Sequence, residues 1–153
     1  MNTITAGRHQ TRYAAEPHLH LFIDGQPLDG LLHQYYPDDN FRGLVPTLLS
    51  WLDRPQERAV VWARARLHSL RRVKLPLLMC PDDLDLSCTV IAAEVIVEDD
   101  LVHWPRLGWD ATTSHDPVDS CREVTWLPRI PAFAFDRREY QRCLDAFAAA
   151  LAE

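Results

Sequence analysis

Apolar and polar residues alternate from His18 to Asp24, with Leu19, Leu21 and Ile23 on one face and His18, His20 and Phe22 on the other. A side-chain period of two predicts a half-buried strand whose histidine face meets solvent. Asp24-Gly25 is a tight-turn pair, so a short return through Gln26 to Leu28 is expected. The spacing then becomes helical. Leu28, Leu31, Leu32 and Tyr35 predict a helix from Leu28 to Tyr36, stopped by Pro37-Asp38-Asp39-Asn40. Phe41, Leu44, Val45, Leu48, Leu49 and Leu52 share one helical face and predict a second, amphipathic helix with Pro46 near its first turn. Asp53-Arg54-Pro55 breaks that pattern and starts another helix. It runs to about Leu70, with Val60, Val61, Ala63, Leu67 and Leu70 inward and a basic end.

Leu75 to Cys80 and Cys88 to Val97 read as strands, the second apolar on both faces as a central strand should be. Glu98-Asp99-Asp100 is a tight turn, and Leu101 to Trp104 returns in an antiparallel hairpin. Ala111 to Cys121 is polar and irregular and predicts a surface loop. Glu123 to Leu127 is a short strand, and Pro128 and Pro131 bracket an extended connection. The closing helix carries the clearest local signals. Asp136 caps it, Glu139 occupies the capping-box position, and Phe135 with Tyr140 forms a hydrophobic staple. Tyr140, Cys143, Leu144, Phe147 and Leu151 make its apolar stripe. Met1 to Pro17 is polar and reads as a flexible arm before a single domain over 18–153. The order of elements predicts an α+β fold, with helices packed on a mainly antiparallel sheet.

Composition changes the picture only by exclusion. The chain has 153 residues, 47% apolar and 25% charged, which suits one soluble domain with a real core. A formal net charge of -6 argues against non-specific nucleic-acid binding and against an anionic membrane surface. No apolar run approaches the roughly 20 residues of a membrane span, and the polar N-terminus has no signal core. A cytoplasmic protein is expected, with Cys80, Cys88, Cys121 and Cys143 reduced. In an oxidising compartment Cys80 and Cys88 could pair.

Candidate chemistry is sparse. Cys80 and Cys88 bracket Asp82, Asp83 and Asp85, but structural zinc sites take cysteine pairs at closer spacing. The same stretch lacks the glycine and the terminal glutamate of an EF-hand. The aspartates oppose thiolate formation, which argues against a cysteine nucleophile there. His18 and His20 share a strand face, as a ligand pair would, yet a solvated face is the simpler account. No nucleophile elbow and no glycine-rich phosphate loop occurs. No catalytic residue, cofactor or resident metal is therefore expected. Asp38, Asp39, Asp82, Asp83 and Asp85 form the acidic loops suited to a basic partner. Trp109, between Gly108 and Asp110, is the aromatic expected at the surface, while Trp104 and Trp126 should close the core.

Cys80, Pro81, Asp85, Leu86 and Cys88, then Val102 and Trp104, Gly108 and Trp109, and Phe133, Phe135, Asp136 and Tyr140 follow a common pattern. It resembles that of a broad, largely uncharacterised family of small bacterial proteins. Their pattern is a C-P-x-C-G-D-L-G-C segment, a V-x-W segment, a G-W pair and a closing F-x-F-D-x-x-x-Y helix. Ile23-Asp24-Gly25 and Pro27-Leu28 look like that family's opening hairpin, so the resemblance covers most of 19–147. Here Asp83 replaces the middle cysteine, and Leu84 and Ser87 replace glycines. A degenerate site on an intact scaffold implies binding rather than catalysis. In profile the chain is similar to immunity proteins of contact-dependent growth-inhibition systems. That likeness implies a cytosolic inhibitor of a cognate toxin domain, a basic nuclease, whose contacts would include Asp38, Asp39, Asp82, Asp83, Asp85, Trp109 and Asp110. The alternative is a small enzyme or metal- or ligand-binding protein with a pocket between helices and sheet, lined by His18, His20, Cys80, Cys88 and the aspartates.

Overall fold

The computed structural model describes residues 1–68 and 71–152. The chain opens with strands β1 (Ile4–His9), β2 (His18–Ile23) and β3 (Gln26–Pro27), which form a three-stranded sheet in that order. Helix α1 (Leu28–Tyr35) follows, then the two-residue strand β4 (Val45–Pro46) and helix α2 (Pro55–Ala65). The larger sheet is built from β5 (Arg71–Met79), β6 (Val90–Glu98), β7 (Leu101–Trp104), β8 (Leu107–Asp110), β9 (Val124–Trp126) and β10 (Phe133–Asp136), with β4 at one edge. Helix α3 (Arg137–Leu151) closes the chain. Every strand ladder among the described residues is antiparallel. A parallel bridge between Asn2 and Phe135 ties the small sheet to the large one. The fold is α+β in one compact domain, as the element order predicts.

Local chemistry explains the hairpins. Asp24 and Gly25 both adopt positive φ (51° and 80°), the backbone of a two-residue turn, between β2 and β3. Asp99 takes φ 52° between β6 and β7. Strand β6 is buried on both faces from Val90 to Val95 and is the centre of the large sheet. One edge of it is shared by two strands: Glu98 to Ile96 pairs with β7, and Ala93 to Ile91 with β8. The chain steps from β7 to β8 through Pro105, which has no N–H to lose from a ladder, and the Glu94 amide donates to the Arg106 carbonyl (3.0 Å). Gly108 permits the next pairing. A Cβ there would sit 2.4 Å from Val124 Cγ1 and 2.7 Å from the Thr125 carbonyl oxygen, so β9 packs this closely only against glycine.

Helix α3 begins as its sequence dictates. The Asp136 carboxylate accepts from the Glu139 amide (3.0 Å), and the Phe135 and Tyr140 rings sit 5.7 Å apart. The returning half of the capping box is diverted, because Glu139 instead accepts from the Ile4 amide (2.6 Å) and so anchors β1. Trp104 is wholly buried, donates its indole N–H to the Tyr140 hydroxyl (3.1 Å), and meets Phe135 edge to face at 4.9 Å. Burial pushes the Tyr140 hydroxyl above its ordinary range.

Three expectations are corrected. First, 4–9 is a paired strand where a flexible arm was expected; Ile4 is buried, and Asn2 exchanges hydrogen bonds with Ala134 (2.8 and 3.0 Å). Second, 41–52 is not a helix. Its six apolar residues are all buried, but Gly43 holds φ 103° and Val45–Pro46 pairs with Leu78 and Met79. Neither state fits an α-helix, and a segment buried from all sides carries no reliable period. Third, the histidine face of β2 is inside: His18 is 3% and His20 0% exposed, while Leu19 and Phe22 are half-buried. Helix α1 and the 41–52 segment cover it. In α2, Val61 and Ala65 are buried, Val60 is half-buried, Ala63 is exposed and Leu67 lies beyond its end. The expected inward position at Leu70 lies outside the described residues.

Candidate functional site

A cleft of about 850 Å³ opens between the N-terminus of α2, the 86–89 segment, and the chain leaving β8. Each wall is fixed by side chains that reach across the sequence. Pro55 starts α2, which places Glu57 in its first turn. Glu57 is buried, and its Oε1 accepts from the Leu86 amide (2.8 Å). Asp85 accepts from the amide and hydroxyl of Ser87 (2.9 and 2.6 Å) and pairs with Arg54 (3.3 Å). These contacts hold one wall. On the other, Asp110 accepts from the amides of Thr112 and Cys121 (both 3.0 Å). Asp116 caps a 3-10 turn over 117–119 by accepting from the Val118 amide (3.1 Å). Arg64 straps that turn to α2 by donating to the carbonyls of Ser120 (2.7 Å) and Val118 (2.9 Å). Cys121 lies beneath, its thiol pushed up to about 12, first by burial and then by Asp110.

Trp109 stands on the wall of this cleft, 47% exposed, and Val118 on the 3-10 turn is 69% exposed. Glu57 also lines the cleft, and its Oε2 is buried with no hydrogen-bond partner among the described residues. Asp110 and Asp116 add carboxylates to the lining, against Arg54. The arrangement offers an aromatic face beside the Asp110 and Asp116 carboxylates, which together suit a cationic or N–H-donating group.

The sequence-predicted residues distribute unevenly. Trp109 and Asp110 line the cleft. Asp85 is buried and committed to the loop. Asp82 and Asp83 are exposed in the same loop outside the cleft lining, and Asp38 and Asp39 are exposed in the turn after α1. Sequence reasoning missed Glu57 and the 111–117 wall. The signal for Glu57 was present only as an acid in a helix first turn, which says nothing about Leu86.

Cys80, Asp83 and Cys88 come together, their sulfur and carboxylate oxygen atoms all within 4.8 Å of one another. The Cys88 thiol is shifted upward, chiefly by its hydrogen bond to Asp83 and further by Cys80. Cys88 is also on the cleft wall.

The histidines form a separate cluster. His18 Nδ1–H donates to its neighbour's Leu19 carbonyl (2.7 Å), so Nε2 accepts from the Thr11 hydroxyl (3.0 Å). Asp29 is buried, with Oδ2 accepting from the Gly43 amide (3.0 Å) and Oδ1 3.0 Å from His20 Nε2 and 3.7 Å from His9 Nε2. Burial works to raise the Asp29 pKa, but the His20 contact, the Gly43 amide and His9 outweigh it, and the net shift is downward. None of His9, His18 or His20 lines the cleft, so these histidines do not share a pocket with Cys88; His115 is the histidine that does.

Compared with known proteins, the chain matches no family model, no curated protein and no solved structure. No helix among the described residues is long and apolar enough to cross a membrane.

Proposed function

We propose that this protein is an inhibitory binding protein, and that its partner is a basic toxin domain encoded beside it. The observation that carries this reading is the exposed Trp109 on a preformed cleft lined by the Asp110 and Asp116 carboxylates. An exposed tryptophan in a concave, polar-rimmed site has the makings of a binding hot spot. The carboxylates around it would receive a lysine or arginine of the partner, with the indole face giving a cation–π contact. The net charge of -6 would speed encounter with a basic surface. Asp38, Asp39, Asp82 and Asp83 then act at long range, since they are exposed but outside the cleft lining. Inhibition follows from occlusion of the toxin's substrate surface, and no bond is made or broken.

The test is co-expression with the product of the neighbouring upstream gene. The expected result is a neighbour that kills cells alone, is silenced in a complex with this protein, and escapes when Trp109→Ala or Asp116→Lys is used. A harmless neighbour that does not co-purify overturns the reading.

A further inference from the structure

The β5–β6 ladder ends with Met79 opposite Val90. Cys80 leaves the first strand directly after that pair, and Cys88 lies just before the second strand begins. Both thiols therefore stand at the mouth of one hairpin. The connecting chain turns back at Leu84, whose φ of 52° lets its amide donate to the Cys80 carbonyl (3.0 Å). That turn returns Asp83 to the two sulfurs, and the three donor atoms lie within 4.8 Å of one another.

We propose that Cys80, Asp83 and Cys88 form a binding site for a thiophilic divalent cation of the zinc class. A tetrahedral zinc ion with such ligands sets its donor atoms about 3.5–3.8 Å apart, so the cluster needs to contract by at most about 1.3 Å. Two sulfurs select against calcium and magnesium, which take oxygen cages. Three protein ligands leave a fourth position for water. The loop is already stiff, because Glu57 holds the Leu86 amide and Asp85 holds Ser87 and Arg54. Outer contacts of this kind orient ligands before the ion arrives. Asp83 and Cys88 are exposed and Cys80 is half-buried, so an ion reaches the site from solvent. The assignment goes beyond the toxin-inhibitor reading and does not depend on it.

Cobalt(II) titration of the full chain, kept reduced and oxygen-free, tests it. One equivalent should bind, giving tetrahedral ligand-field bands and sulfur-to-cobalt charge transfer, and zinc should displace it. Cys88→Ser should lose about half the charge-transfer intensity and about tenfold or more in affinity, while Asp83→Asn should weaken binding with that intensity retained. Absence of sulfur-to-cobalt bands, or bands that persist in a folded Cys80→Ser/Cys88→Ser protein, overturns the site. A second measurement uses the unmutated chain. Zinc should protect Cys80 and Cys88 from alkylation in peptide mass maps, and equal labelling with and without zinc overturns the proposal.

Discussion

The protein carries two clusters of ligand-type side chains, and they sit in opposite surroundings. At the β1–β2–α1 end, His18, His20 and Asp29 are buried; His18 is bonded to Thr11 and Leu19, Asp29 Oδ2 to the Gly43 amide, and His20 Nδ1 has no hydrogen-bond partner among the described residues. At the β5–β6 loop, Cys88 and Asp83 are exposed, and the adjoining cleft leaves the Trp109 face open. The first cluster resembles a binding site in sequence and is a packing device in space. The second lacks any standard motif and keeps the spare capacity a binding site needs. Residue type alone does not separate the two; exposure does.

Removing Asp29 should break the contrast most severely. Asp29→Ala leaves buried His20 and half-buried His9 without their carboxylate, and a loss of about 3–5 kcal/mol is expected in urea unfolding. A loss near zero would mean that the histidine cluster does not hold the small sheet. Trp109→Ala is the converse. It should change folding stability by no more than about 0.5 kcal/mol while weakening the toxin complex by about 2 kcal/mol, read by calorimetry. Equal effects on fold and complex would erase the distinction.

Acid provides a smaller probe. Burial lowers the pKa of both His9 and His18 below the unfolded value of 6.5. The unfolded chain therefore takes up protons first, so their contribution is intact above pH 6.5 and is lost as pH falls from there towards the folded pKa values. The lowered Asp29 pKa adds stability present above 3.8 that disappears as pH falls through its folded value. Unfolding free energies across this range should fall with pH, and the upper part of that slope should flatten in His18→Gln. The smallest effect is expected from charge reversal in the acidic turns. Asp38→Lys, Asp39→Lys and Asp82→Lys should each slow association by a few-fold at low salt, with little change in dissociation. Stopped-flow rates that do not respond remove those turns from steering.

Much of the scaffold was legible because its signals are local. Asp136, Phe135 and Tyr140 start α3 through contacts within one turn, and Asp24-Gly25 and Asp99 set their hairpins by backbone preference. The apolar run of β6 needs two buried faces wherever it lies. The stretch 41–52 was misread because full burial imposes no period; only the positive φ of Gly43 and the ladder to Leu78 and Met79 settle its course. Strand β1 was missed because its order comes from partners distant in the chain: β2 for the ladder, Ala134 and Glu139 for its start.

By itself the sequence determined the α+β class, the turns, the closing helix and the acidic balance, since each follows from neighbouring residues or from simple sums. Tertiary structure alone decided that the histidines are interior, that Glu57 braces Leu86, and that Trp109 faces a cleft. It alone brought Cys80, Asp83 and Cys88 within one ion's reach. Burial and satisfaction are properties of what covers a side chain, and here the covering segments come from remote parts of the chain.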